Sequence, residues 1–319
     1  MSRGIYVLAN DRVREHAIAL LASLRAHDPE VPVVLIPYDD AHHEVTRVAA
    51  ARFDVRVWED DATLGWIDAE LHRVFGAGFF RRPGNFRKQA CWFGPFEEFL
   101  YLDADIVVFE PIVRLLDELA RADFVCCDDQ HEGGLRHVFT REVLRSGDLP
   151  RRALRDVFNG GLFGARRGLV TRASLVAAWE AAARRVACFD FAHGGSDQPI
   201  LNDLVLRTLP RRVNAYRRPG APRMWAGTPG FVADGPGYLT DPRGGRRLRF
   251  LHWAGVPIGP GGPYWDVWRH WRERDPALPP TTLPAVRWTP PLAPRRRARA
   301  AAALRRTVAR LAAVLPGGR

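Results

Sequence analysis

The chain has 319 residues, 47% of them hydrophobic, with ten tryptophans and a formal net charge of +11. That is enough apolar material for one substantial core, and it excludes a disordered or fibrous protein. Residues 295–319 hold eight arginines and no acid, which leaves only +3 for everything before them; the basicity belongs to a tail, and specific nucleic-acid binding is not expected.

Residues 5–9 read as a short buried strand, followed by a helical pattern through Ala17, Leu20, Leu21 and Leu24. A strand at 33–36, a helix at 44–52 and a strand at 55–57 complete a β-α-β-α-β opening, the way nucleotide-binding open sheets begin. Further strands are expected at 99–102, 124–127 and 161–164, and an Ala-rich helix at 171–186. The four cysteines, Cys91, Cys126, Cys127 and Cys188, lie in apolar runs without a C-x-x-C pair and read as packed, reduced thiols. No run approaches the roughly 20 apolar residues of a membrane span, and the first residues lead directly into a strand, so a cytoplasmic location is expected.

Seven prolines between Pro276 and Pro294 change the texture of the chain. The expected organisation is therefore a catalytic body at 1–275, a semi-rigid Pro-rich linker at 276–294 and a basic tail at 295–319. In the tail, Leu304, Val308, Leu311 and Leu315 form an apolar stripe beside Arg299, Arg305, Arg306 and Arg310. Such a helix suits peripheral contact with an anionic membrane, on its inner face for a cytoplasmic protein; a solvated end is the competing reading.

The segment Phe99-Leu100-Tyr101-Leu102-Asp103-Ala104-Asp105 ends an apolar strand in two carboxylates one residue apart. Alternation places them on one side. Two like charges there repel each other and lose hydration unless a cation compensates, and oxygen ligands select Mg²⁺ or Mn²⁺. A bare D-x-D also occurs as a solvated turn, so its neighbours decide.

Those neighbours are Asn85-Phe86-Arg87-Lys88-Gln89 upstream, and Phe158-Asn159-Gly160-Gly161, Ser196-Asp197-Gln198-Pro199 and Leu251-His252-Trp253-Ala254-Gly255 downstream. In this order, from about residue 4 to residue 256, the chain resembles the retaining glycosyltransferases that include glycogenin and the bacterial lipopolysaccharide galactosyl- and glucosyltransferases. The resemblance implies a GT-A fold, an α/β architecture with a Rossmann-like, open, twisted mixed sheet flanked by helices. It also implies a UDP-sugar donor, a saccharide or glycolipid acceptor, and Mn²⁺ or Mg²⁺ as cofactor. Position by position, it implies that Ala9 and Asn10 hold base and ribose and that Asp103 reaches the ribose as well as the metal. Asp105 and His252 complete the metal ligands. Lys88, Asn159, Gly160 and Gly255 contact the donor, and Asp197 and Gln198 face the reacting carbon.

Plainer roles compete at several of these positions: a helix N-cap for Asn10 and Asp197, a core position for His252, a plain turn for 158–161 and a solvated face for Lys88. Against the last, Lys88 is the only lysine among 47 basic residues, which points to a need for a compact ammonium in place of a guanidinium fork. One departure stands out. The family continues its His-x-x-Gly with a diphosphate-touching lysine, whereas here a glycine- and proline-rich stretch runs from Gly255 to Trp265. Loop amides or a nearby arginine must replace that lysine, or leaving-group stabilisation is weaker. A sugar nucleotidyltransferase is disfavoured because no glycine-rich phosphate loop follows the first strand; a non-catalytic nucleotide-sugar-binding protein is the other alternative. Sugar and acceptor choice is left to the loops at 62–84, 129–157 and 215–245.

Overall fold

The structure is a computed structural model that describes residues 2–131, 134–191 and 197–289. The expected opening is present as β1 (Arg3–Ala9), α1 (Arg14–His27), β2 (Val33–Pro37), α2 (His43–Phe53) and β3 (Val55–Val57). A helix not read from the sequence follows, α3 (Asp61–Phe75), started by Asp60, whose side chain accepts the Thr63 N–H at 3.0 Å. A 3₁₀ stretch, Pro83–Trp92, then carries Lys88 into β4 (Glu98–Asp103) and β5 (Ile106–Val108). Beyond these lie β6 (Phe124–Cys126), α4 (Glu142–Ser146), β7 (Leu162–Arg166) and α5 (Arg172–Ala183). The chain continues through α6 (Gln198–Thr208), β8 (Arg212–Asn214), β9 (Val232–Ala233), β10 (Leu239–Asp241), β11 (Arg246–Arg247), β12 (Phe250–His252) and α7 (Trp265–Arg272).

Seven strands form one sheet in the order β3-β2-β1-β4-β7-β6-β8, in which β7 alone runs against the others. The sheet is mixed, as expected. Alternate residues of β1 serve opposite faces: Tyr6 and Leu8 join an aromatic-rich core with Trp92, Phe99 and Phe163, while Ile5, Val7 and Ala9 pack against Ala17, Leu20 and Leu21 of α1. A third cluster joins Trp268 and Trp271 of α7 to Val107 of β5 and Leu251 of β12.

Several boundaries differ from the sequence expectation. Helix α5 begins at a capping box between Thr171 and Ser174 but stops at Ala183, three residues early. There Arg185 leaves helical geometry and its guanidinium pairs with Asp203 at 2.9 Å. Residues 276–289 have no regular secondary structure, yet they are not a free tether. The Val286 N–H donates to the Pro260 carbonyl at 2.8 Å, and Leu283 and Trp288 pack against the third cluster. This packing uses the glycines of the 255–265 stretch: a Cβ at Gly261 would lie 2.7 Å from the Val286 carbonyl oxygen. The basic tail at 295–319 lies outside the described residues. All four cysteines are buried and unpaired, and burial pushes the Cys127 thiol up to about 12. Among the described residues no helix is long and apolar enough to cross a membrane.

Candidate active site

A cavity of about 590 Å³ opens where β1 and β4 end and β7 begins. Carboxyl ends of parallel strands leave such a crevice because their loops diverge there. Ala9, Asn10, Lys88, Asp103, Asp105, Asn159, Gly160, Asp197, Gln198, His252 and Gly255 all line it, so the structure brings these candidate site residues together.

Asp103 is the last residue of β4, and the turn through Ala104 and Asp105 leads into β5. His252 lies about 150 residues later in the chain and reaches the same place because β12 pairs antiparallel with β5, setting His252 opposite Ile106. One ligand atom from each of Asp103, Asp105 and His252 lies within 4.8 Å of the others. His252 Nε2 is buried and has no hydrogen-bond partner, although it stands 3.2 Å from Asp105 Oδ1. An orphaned imidazole nitrogen facing two carboxylates is costly alone and fits a divalent cation. Burial pushes the Asp105 carboxyl upward, but the His252 ring outweighs it and holds it below its ordinary value; burial likewise works against the His252 imidazolium, and Asp105 overrides it to raise that pKa. Gly161 makes the approach possible, since a Cβ there would overlap the His252 ring and lie 2.8 Å from Asp103 Oδ2.

Lys88 is not on a solvated face. Its ammonium is buried 3.3 Å from Asp103 Oδ1, 3.1 Å from Asp197 Oδ2 and 3.4 Å from the Gly160 carbonyl oxygen, 4.8 Å from the centre of the Tyr101 ring. Burial opposes the charge, but Asp103 and then Asp197 raise the Lys88 pKa above its ordinary value. An amine on a four-carbon stem reaches this point between two acids where a planar guanidinium would not fit as compactly, which accounts for the one lysine in an arginine-rich chain. Asp103 Oδ1 also accepts the Tyr101 hydroxyl at 2.7 Å, so one of its oxygens serves Lys88 and Tyr101 while Oδ2 turns toward Gly161 and His252.

Asp197 stands at the N-terminus of α6, yet its side chain makes no capping bond and goes to Lys88 instead. Burial raises its carboxyl pKa, the nearby Lys88 pulls it back, and Asp103 adds to the rise. Ser196 lies outside the described residues. The Gln198 amide is oriented from both ends: its oxygen accepts the Gly160 N–H at 3.0 Å, and its nitrogen lies 3.4 Å from the His137 carbonyl oxygen and from His131 Nε2. The turn at 158–161 closes when the Asn159 side-chain oxygen accepts the Gly161 N–H at 2.8 Å. Asn10 does cap the 3₁₀ turn after β1, accepting the Arg12 N–H at 3.2 Å, and its amide donates to Asp39 at 2.9 Å while it lines the cavity. Gly255 adopts φ +68°, which explains the glycine independently of any ligand. Arg12 and Arg82 also line the cavity.

Sequence reasoning missed the Asp128–His131 pair. Asp128 follows β6 at the same end of the sheet; its Oδ2 lies 2.9 Å from His131 Nδ1 and accepts the Asn159 N–H at 3.0 Å. Its signal was available, since Asp128 follows an apolar strand just as Asp103 does. Tyr101 carried none, because an aromatic inside a strand reads as core.

The mixed seven-stranded sheet, with paired acids at the end of its fourth strand, matches solved structures over most of its length. WbbM, a bifunctional glycosyltransferase, has a TM-score of 0.58 at 13% identity, covering 86% of this chain and 50% of that one. An active-site mutant of LgtC gives 0.56 at 17% identity, covering 88% of this chain and 97% of that one. The chain has the GT-A glycosyltransferase fold. Residues 2–119 match the family model described as "Mannosyltransferase putative". A curated relative from Candida albicans, "Putative alpha-1,3-mannosyltransferase MNN1", is 29% identical over 135 residues. That alignment covers 34% of this chain and 17% of the relative, so the chain spans only a small part of the relative's length.

Proposed function

We propose that this GT-A chain is a retaining, metal-dependent glycosyltransferase that moves a sugar from a nucleoside-diphosphate donor, a UDP-sugar, to a saccharide or glycolipid acceptor. The observation that carries this reading is the convergence of Asp103, Asp105 and the orphaned His252 Nε2 on one point of the cavity at the strand ends. A divalent cation held there, Mn²⁺ or Mg²⁺, supplies charge neutralisation to a departing diphosphate.

The chain's own residues do the rest. Asn10 and Ala9, at the end of β1, offer the base and ribose a side-chain amide and backbone groups. Lys88 pins Asp103 and Asp197 in place, so the metal-side and sugar-side carboxylates share one buried cation and cannot drift independently. Asp197 and Gln198 are assigned to the reacting face of the sugar, with the Gln198 amide orientation set by Gly160 and His137. Arg12 and Arg82 are positioned to take over the diphosphate contact of the missing lysine. A second reading concerns the sugar alone: the two mannosyltransferase matches favour mannose.

The test is a thermal-shift panel of nucleoside diphosphates and nucleotide sugars with and without Mn²⁺, followed by transfer assays. Stabilisation by a uridine nucleotide only when Mn²⁺ is present is expected, as mass action requires for a ligand of the native state. Asp105→Ala is expected to lose the Mn²⁺-dependent part of that shift and all transfer while keeping the far-UV circular dichroism of the parent. Normal turnover by the folded variant refutes the metal assignment.

A further inference from the structure

The three loops to which no motif belongs come together around a second cavity of about 640 Å³, continuous with the donor cavity through Arg82, Asn159, Gln198 and Gly255. Each contributes an exposed arginine to its lining, Arg82 from 62–84, Arg136 from 129–157 and Arg243 from 215–245, and the last loop also supplies the half-buried Arg223. Arg223 is already paired with Asp241, as Arg212 is with Asp156 and Arg272 with Glu15. Arg82, Arg136 and Arg243 are exposed, and among the described residues their guanidinium groups have no ion pair or hydrogen bond. Among the described residues two acids, Asp129 and Asp190, share the cavity with four arginines and offset only part of their charge. Asp190 accepts the backbone N–H of His137 at 3.0 Å, and burial together with Asp128 pushes the Asp129 carboxyl up to about 6. The wall between them carries Trp225, whose indole N–H is tied to the Ala254 carbonyl at 2.9 Å and whose half-buried ring lines the cavity.

We propose that this second cavity is the acceptor site and that it takes a saccharide bearing an anionic group, a carboxylate or a phosphate. The inference rests on the glycosyltransferase reading above. Arg136 and Arg243, outside the donor cavity, together with Arg82 at the junction of the two cavities, attract an anion over a neutral sugar, and guanidinium groups match both carboxylate and phosphate oxygens in bidentate geometry. An aromatic ring beside the polar rim provides the apolar surface on which a pyranose rests. The shared Gln198 and Asn159 place the acceptor next to the donor sugar.

The test uses the whole 319-residue chain with UDP and Mn²⁺ present, applied to an immobilised panel of neutral, uronate-bearing and phosphate-bearing oligosaccharides. The same panel is read with an Arg136→Gln/Arg243→Gln double variant; both positions line the second cavity but not the donor cavity. The arginine-rich tail is present in both proteins, so its nonspecific attraction cancels in the comparison. Retention on anionic over neutral glycans is expected, with the favoured panel arm reporting whether carboxylate or phosphate is the source. The double variant should lose roughly tenfold or more of that retention, the size expected for charge-assisted bonds, at unchanged UDP stabilisation. Equal retention of neutral and anionic glycans overturns the proposal, as does a preference that the double variant keeps. Absence of UDP and Mn²⁺ stabilisation in the parent protein is a separate result that removes the glycosyltransferase reading itself, and the acceptor assignment with it.

Discussion

Replacing Lys88 by methionine removes the one cation that holds Asp103 and Asp197 together. The ammonium stands 3.3 Å and 3.1 Å from the two carboxylates, and the Lys88 and Asp197 side chains are 5% and 4% exposed. Taking one partner from a buried pair typically costs about 3–5 kcal/mol, because the other charge is left without compensation. The loss depends on pH in a defined direction. The Asp197 carboxyl is already raised by burial and is pulled back by Lys88; without Lys88 it rises further above its unfolded value. An acid whose folded pKa exceeds its unfolded pKa destabilises the native state at high pH and stops doing so as pH falls below the unfolded value. Urea unfolding followed by far-UV circular dichroism at pH 7.5 and pH 5 measures both effects. Lys88→Met should be markedly less stable at pH 7.5, the gap to the parent should narrow at pH 5, and Asp197→Asn in the same chain should restore part of the loss. A variant as stable as its parent at pH 7.5, or a gap that does not change with pH, refutes the buried clamp.

Gly161→Ala places a methyl group against the His252 ring and Asp103 Oδ2; overpacking of this kind costs about 1–3 kcal/mol, and the variant should also lose Mn²⁺-dependent thermal stabilisation, whereas retention of both would show that the site tolerates a Cβ. Asp129→Asn is expected to stabilise the protein. Its carboxyl is raised from 3.8 to about 6, a penalty of about 3 kcal/mol that is complete above the folded pKa and absent below the unfolded one. Urea unfolding should therefore show a gain at pH 8 that disappears by about pH 4; a gain of equal size at both values would show that ionisation is not its cause.

Much of the candidate site was legible before folding. Asp103 and Asp105 could be read because no apolar strand tolerates two acids at its end without a reason, and Lys88 because it is unique in an arginine-rich chain. The order of motifs reported the GT-A fold, since each falls where a strand or helix meets a loop on the same edge of one sheet. Less was legible in the loops. Helix α7 has a good apolar stripe only once Trp268 and Trp271 face α1, and the short strands β9, β10 and β11 have two or three residues each, too few to show a period. The Pro-rich segment at 276–294 read as a semi-rigid linker because its composition cannot build a core of its own, yet its described part, 276–289, packs on glycines that only tertiary structure brings beneath it.

The sequence by itself determined which chemistries the chain carries: acids at strand ends, a solitary ammonium, and glycines where backbone must come close. These follow from local rules of charge, period and conformation, each satisfied within a few residues. Tertiary structure decided how those groups are wired. The pairing of β12 with β5 carries His252 to Asp105, the clamp joins Lys88 to an acid more than a hundred residues away, and the three loops raise three arginines around one mouth. Those contacts depend on strand register and on loop paths over the finished sheet, and no window of the sequence contains either.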